Sequence, residues 1–311
     1  MKRSSALLGL TAAVAAPQFP LGAQGLTKLR TFALAVDQAG PLYYAKELGY
    51  FQRAGLDVDI SNPTDYGAVV SAVVGGSADI AYGIIVALEQ AYAAGLPITI
   101  VAGAGLNDQR RPVNYLLVAK DSPIKTVRDL NGKTLGCSPL KSLGTYSVEA
   151  YMSQNGADPT SIKWADIPFP LCAAALGRGT IDAAFMIEPF ASAAAATTRL
   201  LGRPYEAISP NFLGSAYFTT TAWAKANPET LKRFLTALHE ASDWGNKNPA
   251  KSAAIVAQYT KLEPEQVAHM ARATYADIVT PQTLQPSIDF SAKYKMIATA
   301  FPAKDLIYPR P

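Results

Sequence analysis

The chain is poor in the residues that most often carry chemistry: 311 residues hold two cysteines and two histidines. Cys137 and Cys172 have no histidine beside them, and His239 and His269 carry no HExxH or carboxylate spacing. Without such spacing a zinc site or a cysteine–histidine nucleophile has no partner set in the sequence, and no GxSxG elbow takes their place. No metal, no cofactor and no catalytic group is expected. Charge is scarce too, at 17% Asp, Glu, Lys and Arg, and Arg110 with Arg111 is the tightest basic cluster. No basic stripe interleaves with aromatics, so nucleic acid is not an expected partner. Long apolar runs are missing as well. The one from Ala6 to Ala16 cannot span a hydrocarbon core ~30 Å thick at ~1.5 Å per residue.

That short run has the layout of an export signal. Lys2 and Arg3 precede it and the small residues Gly22, Ala23 and Gly25 follow, so residues 1–25 are read as a signal peptide cut after Ala23 or Gly25. The second Arg of a twin-arginine signal is absent, which favours the general export route. No cysteine follows the run to carry a lipid anchor. Losing Lys2 and Arg3 lowers the basic count from 28 to 26 against 24 acidic residues, and the net charge from +4 to +2. The mature chain is expected free in the periplasm. In that oxidising compartment Cys137 and Cys172 could pair or remain small buried hydrophobes, and the sequence leaves both open.

What is present is a repeat. GSADIAYGI at 76–84 is echoed by GTIDAAFMI at 179–187. Each copy follows an Ala-rich helical stretch, places Gly where the helix stops, adds an Asp and runs apolar, which reads as a helix end feeding a buried strand. Strands are expected at 29–36, 56–60, 79–83 and 98–102, alternating with helices, and again at 134–137, 164–167 and 183–187. Alternation of this kind implies α/β lobes, each a mostly parallel sheet flanked by helices. The expected domains are lobe 1 over 26–115, lobe 2 over 116–214, and a return to lobe 1 over 215–311. The chain is expected to cross between lobes at 113–119 and 216–220, with 103–112 a loop. After the return everything reads as helix, with starts at Pro228, Pro249, Pro264 and Pro281.

The segments AKELGYFQRAGLDVDI, GGSADIAYG, DSPIKTVRDLNGKTLG and GTIDAAFMIEPF, in this order, resemble solute-binding proteins of bacterial ABC importers for nitrate, sulfonates, taurine and pyrimidine precursors. The resemblance covers roughly 29–245. It implies the two-lobed periplasmic-binding-protein fold, two hinge strands, a small-molecule ligand held between the lobes, and delivery to an ABC permease in the inner membrane by a monomer. The resemblance extends to pyrimidine-precursor synthases that use a Cys-rich motif and histidines; this chain has no clustered cysteines.

Loops after parallel strands meet the starts of the next helices, whose free N–H groups suit anions. Ser138, Ser142, Gly144 and Thr145 are the leading candidate cradle, with Ser142 as a plain helix cap the alternative; Lys141 could add charge or stay solvated. Gln38 follows the first strand. Tyr43, Tyr66 and Tyr217 offer a ring face and a hydroxyl, and Gly83, Ile84 and Phe169 stand at strand ends. Glu188 either meets the ligand or caps the helix after Pro189, and one of Arg110 and Arg111 could reach an anion. Tyr82, Phe185, Asp79 and Asp182 read as scaffold. Together these favour a sulfonate, nitrate or aromatic carboxylate as ligand, with a neutral pyrimidine precursor, a synthesis-like enzyme or a sensor module on the same fold as alternatives.

Overall fold

A computed structural model describes residues 25–63, 66–276 and 278–309. All but the last residue of the expected signal peptide lies outside them. In chain order the strands are β1 (Thr27–Phe32), β2 (Leu56–Ser61), β3 (Ile80–Ile84), β4 (Ile98–Gly103), β5 (Gly105–Asp108), β6 (Asn114–Ala119), β7 (Thr134–Cys137), β8 (Lys163–Asp166), β9 (Ala183–Ile187), β10 (Thr198–Gly202), β11 (Asn211–Leu213), β12 (Ser215–Thr220) and β13 (Thr274–Tyr275). They form two five-stranded sheets, ordered β2-β1-β3-β12-β4 and β10-β6-β9-β7-β8, and a small sheet β11-β5-β13.

Read from opposite ends, the two large sheets have one topology. Three strands of each lobe pair in parallel, β2-β1-β3 in one and β8-β7-β9 in the other. Each sheet then takes one reversed strand, β12 or β6, before its last. The reversed strand is the one that has just arrived from the other lobe. Period-2 alternation explains the layers: Ile80 and Tyr82 of β3 enter one core and Ala81 the other, just as Ala183 and Phe185 of β9 face away from Ala184 and Met186.

The echoed aspartates lock these registers. Asp79 donates its N–H to Arg30 O at 2.9 Å and accepts the Arg30 N–H on its carboxylate at 2.8 Å. Asp182 does the same with Thr134, at 2.8 Å both ways. Each Asp sits one residue before its strand and clamps the middle strand of the parallel trio, a scaffold role that the sequence reading had given it.

Several boundaries shift. The first strand stops at Phe32 rather than Val36 because its partner β2 ends at Ser61, freeing 33–36 to turn. The stretch 103–112 is not all loop: β5 runs through it and pairs with β11, so these strands carry the chain between lobes. The segments 113–119 and 216–220, expected as crossings, lie inside the sheets. The tail is helical at Pro228–Lys247, Pro249–Thr260, Pro264–His269 and Pro281–Lys293, each opened by proline as expected, but it also contributes β13. Its Leu231, Phe234, Val256 and Ile288 pack into the cores of the first sheet.

Candidate functional site

A cleft of about 510 Å³ lies between the lobes. Turns after β1 and β3, the strand β5 and the tail around Met270 wall one side; the turns after β7, β8 and β9 wall the other. Seven of the expected residues line it: Gln38, Ile84, Ser138, Ser142, Gly144, Phe169 and Glu188.

Four others are in the scaffold. Tyr43 is fully buried; its hydroxyl donates to Leu34 O at 2.8 Å and accepts from Asn62 Nδ2 at 2.9 Å, and its ring stacks on Tyr259 at 4.0 Å. Tyr217 is equally buried, its hydroxyl donating to Ala39 O at 3.2 Å and accepting the Leu42 N–H at 3.3 Å. A buried phenol needs such partners, so neither hydroxyl is left for a ligand. Gly83 faces a helix: a Cβ there would lie 2.8 Å from Leu88 Cδ2. Thr145 is buried and closes a capping box with Ser142, accepting the Ser142 N–H and donating to Ser142 O, both at 2.9 Å. The alternative reading of Ser142 as a cap therefore describes its backbone position, while its residue still borders the cleft. Tyr66 opens the helix Tyr66–Val74, but its side chain lies outside the described residues.

The charged candidates sort similarly. Arg110 ion-pairs with Asp108 at 2.8 Å, away from the cleft, and is 79% exposed. Lys141 is exposed at the cleft edge. Cys137 and Cys172 are both buried and unpaired as thiols, and burial pushes them up to about 12 and about 11.

Sequence reasoning missed two features. Phe185, taken as scaffold, also borders the cleft, as does Phe190; Phe169 stacks on Phe190 with ring centroids 6.0 Å apart and planes at 28°. The aromatic residues bracketing Glu188 were the available signal. The second is a buried polar knot in lobe 1. Arg272 Nη2 and Nε reach Asp37 Oδ1 at 2.7 and 3.0 Å, the Ala273 N–H reaches Oδ2 at 2.7 Å, and the Tyr275 hydroxyl donates to Oδ1 at 3.0 Å. Asp37 borders the cleft, yet its charge is spent on the tail. Nothing in the sequence joins positions so far apart.

Glu188 differs. Its carboxylate accepts the Ser192 N–H at 3.2 Å, and burial raises its affinity for a proton against the hydrogen bonds of Ser192, Tyr115 and the Ala271 N–H. The same burial, aided by the Glu188 charge, pushes the Tyr115 phenol up to about 12. The cleft thus offers aromatic walls, one partly desolvated carboxyl, the unspent amide of Gln38, and a single exposed lysine. Among the described residues no group of three His, Cys, Asp or Glu gathers to hold a metal.

Residues 37–252 match the NMT1/THI5-like family. A 4-amino-5-hydroxymethyl-2-methylpyrimidine phosphate synthase from Aspergillus parasiticus is 26% identical over 72% of this chain and 67% of its own. Among solved structures, the periplasmic aliphatic sulphonate binding protein SsuA from Escherichia coli superposes with a TM-score of 0.76 at 20% identity, over 91% of this chain and 92% of that one. The periplasmic nitrate-binding protein NrtA from Synechocystis PCC 6803 gives 0.71 at 15% identity, over 90% and 84%. The fold is that of periplasmic binding proteins.

Proposed function

The chain belongs to the NMT1/THI5-like family, and on that footing we propose that it is the periplasmic solute-binding component of an ABC importer, closing on a neutral, amino-bearing heteroaromatic molecule of pyrimidine size. The observation that carries this reading is Glu188: a half-buried carboxyl lining the same cleft as Phe169, Phe185 and Phe190, its proton affinity raised by burial. A sulfonate, nitrate or carboxylate would bring a second negative charge to that wall, with only exposed Lys141 to offset it. An aminopyrimidine donates an N–H to Glu188, lays its ring against the phenylalanines and meets the Gln38 amide from the other lobe. The alternative weighed from sequence thus displaces the anion. The aminopyrimidine named for the Aspergillus relative is consistent with it.

We read the chain as a binder and not a synthase. His239 and His269 are exposed on tail helices outside the cleft, and the Cys137 thiol at the cleft wall, pushed up to about 12, is a poor nucleophile. The mature protein would act as a monomer, with a membrane permease as its partner.

The test is calorimetric titration and thermal shift of residues 26–311 with 4-amino-5-hydroxymethyl-2-methylpyrimidine, taurine and nitrate. The pyrimidine should bind and, at ~100 times its dissociation constant, add ~2.7 kcal/mol of stability. Glu188→Gln should weaken it by ~1.5–3 kcal/mol, the range for a hydrogen bond to a charged group. Binding of the anions alone rejects the ligand class; recovery of the pyrimidine in chemically altered form rejects the binder in favour of the enzyme.

A further inference from the structure

Apart from β5 and β11, the lobes also meet at an aromatic contact flanking the cleft. The helix Leu143–Gln154 belongs to lobe 2, and its first turn lines the cleft through Leu143 and Gly144. One turn on, the ring of Tyr146 lies 5.6 Å from that of Tyr294, at 38°. Tyr294 caps the tail helix Pro281–Lys293, whose Leu284 and Ile288 are buried in lobe 1. The Tyr294 ring is itself braced by Phe290 at 4.5 Å and has Lys293 Nζ over it at 5.6 Å. Leu143 packs against the same lobe 1 core.

The Pro281–Lys293 helix also backs the helix Ile85–Ala93, which supplies Ile85, Val86 and Gln90 to the lobe 1 wall. Tyr146 and Tyr294 therefore tie the helix that starts one cleft wall to the helix that supports the other. Lobes cannot part along this flank without separating the two rings.

We propose that Leu143 and Tyr146 of lobe 2, with Phe290 and Tyr294 of lobe 1, form an aromatic clasp that holds the cleft closed and sets how often the unliganded protein opens. Leu143, Tyr146 and Tyr294 are half-buried at the surface of each lobe, with Phe290 buried behind them, so trimming the two tyrosines leaves both cores intact. Its contribution is that of an aromatic pair, about two- to tenfold in the closed-to-open ratio. Ligand affinity follows that ratio, because a ligand that bridges both walls needs the closed form.

The decisive measurement needs no ligand. Small-angle scattering of the ligand-free protein, residues 26–311, should show a larger radius of gyration for Tyr146→Ala and for Tyr294→Ala. The double variant should match the singles, since either removes the same contact. Tyr294→Phe keeps the ring and should scatter like the parent. Equal radii for the parent and both alanine variants, each with an unchanged melting temperature, overturn the clasp; so does a double variant whose expansion is the sum of the two singles. Should an alanine variant unfold, Tyr146→Leu with Tyr294→Leu, which keeps the apolar bulk, is scored by the same criteria. Because the readout is shape in the absence of any solute, it stands or falls separately from the aminopyrimidine assignment.

Discussion

Lobes 1 and 2 share a strand order, a reversed fourth strand and an Asp clamp, yet they use their cleft faces differently. In lobe 1 the acidic residue at the cleft, Asp37, is held by Arg272, Tyr275 and a backbone N–H. In lobe 2 the corresponding role falls to Glu188, which is held by neutral donors, Ser192, Tyr115 and the Ala271 N–H, and keeps a raised proton affinity. One carboxylate is ion-paired to the tail; the other, on the function proposed above, is the one offered to a solute. Duplicated topology thus supplies the frame, and the tail, whose buried side chains join the cores of lobe 1, makes the walls unequal.

The largest expected effect breaks the lobe 1 side of this contrast. Asp37 and Arg272 are 11% and 7% exposed at the side chain, so Arg272→Ala leaves a carboxylate buried without its cation and should cost ~3–5 kcal/mol. Urea unfolding would read it; a loss under ~1 kcal/mol would mean that the knot is dispensable and the asymmetry incidental.

A smaller effect concerns a second buried acid on lobe 1. Glu89 is fully buried, receives the Ser291 hydroxyl, and is pushed by burial up to about 7 from 4.5. Its folded value is the higher, so the unfolded chain gives up its proton first and wild-type stability falls as pH rises from ~4.5 to ~7, by up to ~3 kcal/mol. Glu89→Gln should therefore match the parent near pH 4 and exceed it at pH 8. A constant difference across that range would contradict the burial argument.

The smallest effect tests the sameness of the lobes. Asp79→Ala and Asp182→Ala each remove a clamp onto a backbone N–H, and each should cost ~1–3 kcal/mol. Asp79 also takes Arg30 at 2.7 Å, but that arginine is 53% exposed, so Arg30→Ala should cost under ~1 kcal/mol. If Asp79→Ala proves far costlier than Asp182→Ala, the two clamps are not equivalent.

Local periodicity made much of this legible. The echo identified β3 and β9, proline marked four tail helices, and the strand expected at 134–137 is β7 to the residue. Short polar strands escaped: β5 reads GLND and β10 reads TRLLG, patterns with no burial signal because they are made by pairing partners far along the chain. The same limit governs the site. Residues placed by a strand end, such as Gln38, Ile84, Ser138 and Glu188, do border the cleft. Tyr43, Tyr217 and Thr145 were assigned from chemistry, and a hydroxyl's chemistry does not say whether a carbonyl elsewhere has already claimed it.

The reversed strand β12 has a consequence for how the molecule is made. β4 has no neighbour in its sheet except β12, and β12 is not synthesised until the whole of lobe 2 has passed. The amino-terminal lobe must therefore wait, one edge unsatisfied, for a strand more than a hundred residues downstream, and such distant pairings form slowly. The amino-terminal sheet is thus completed last, by a strand that only the return from lobe 2 can deliver.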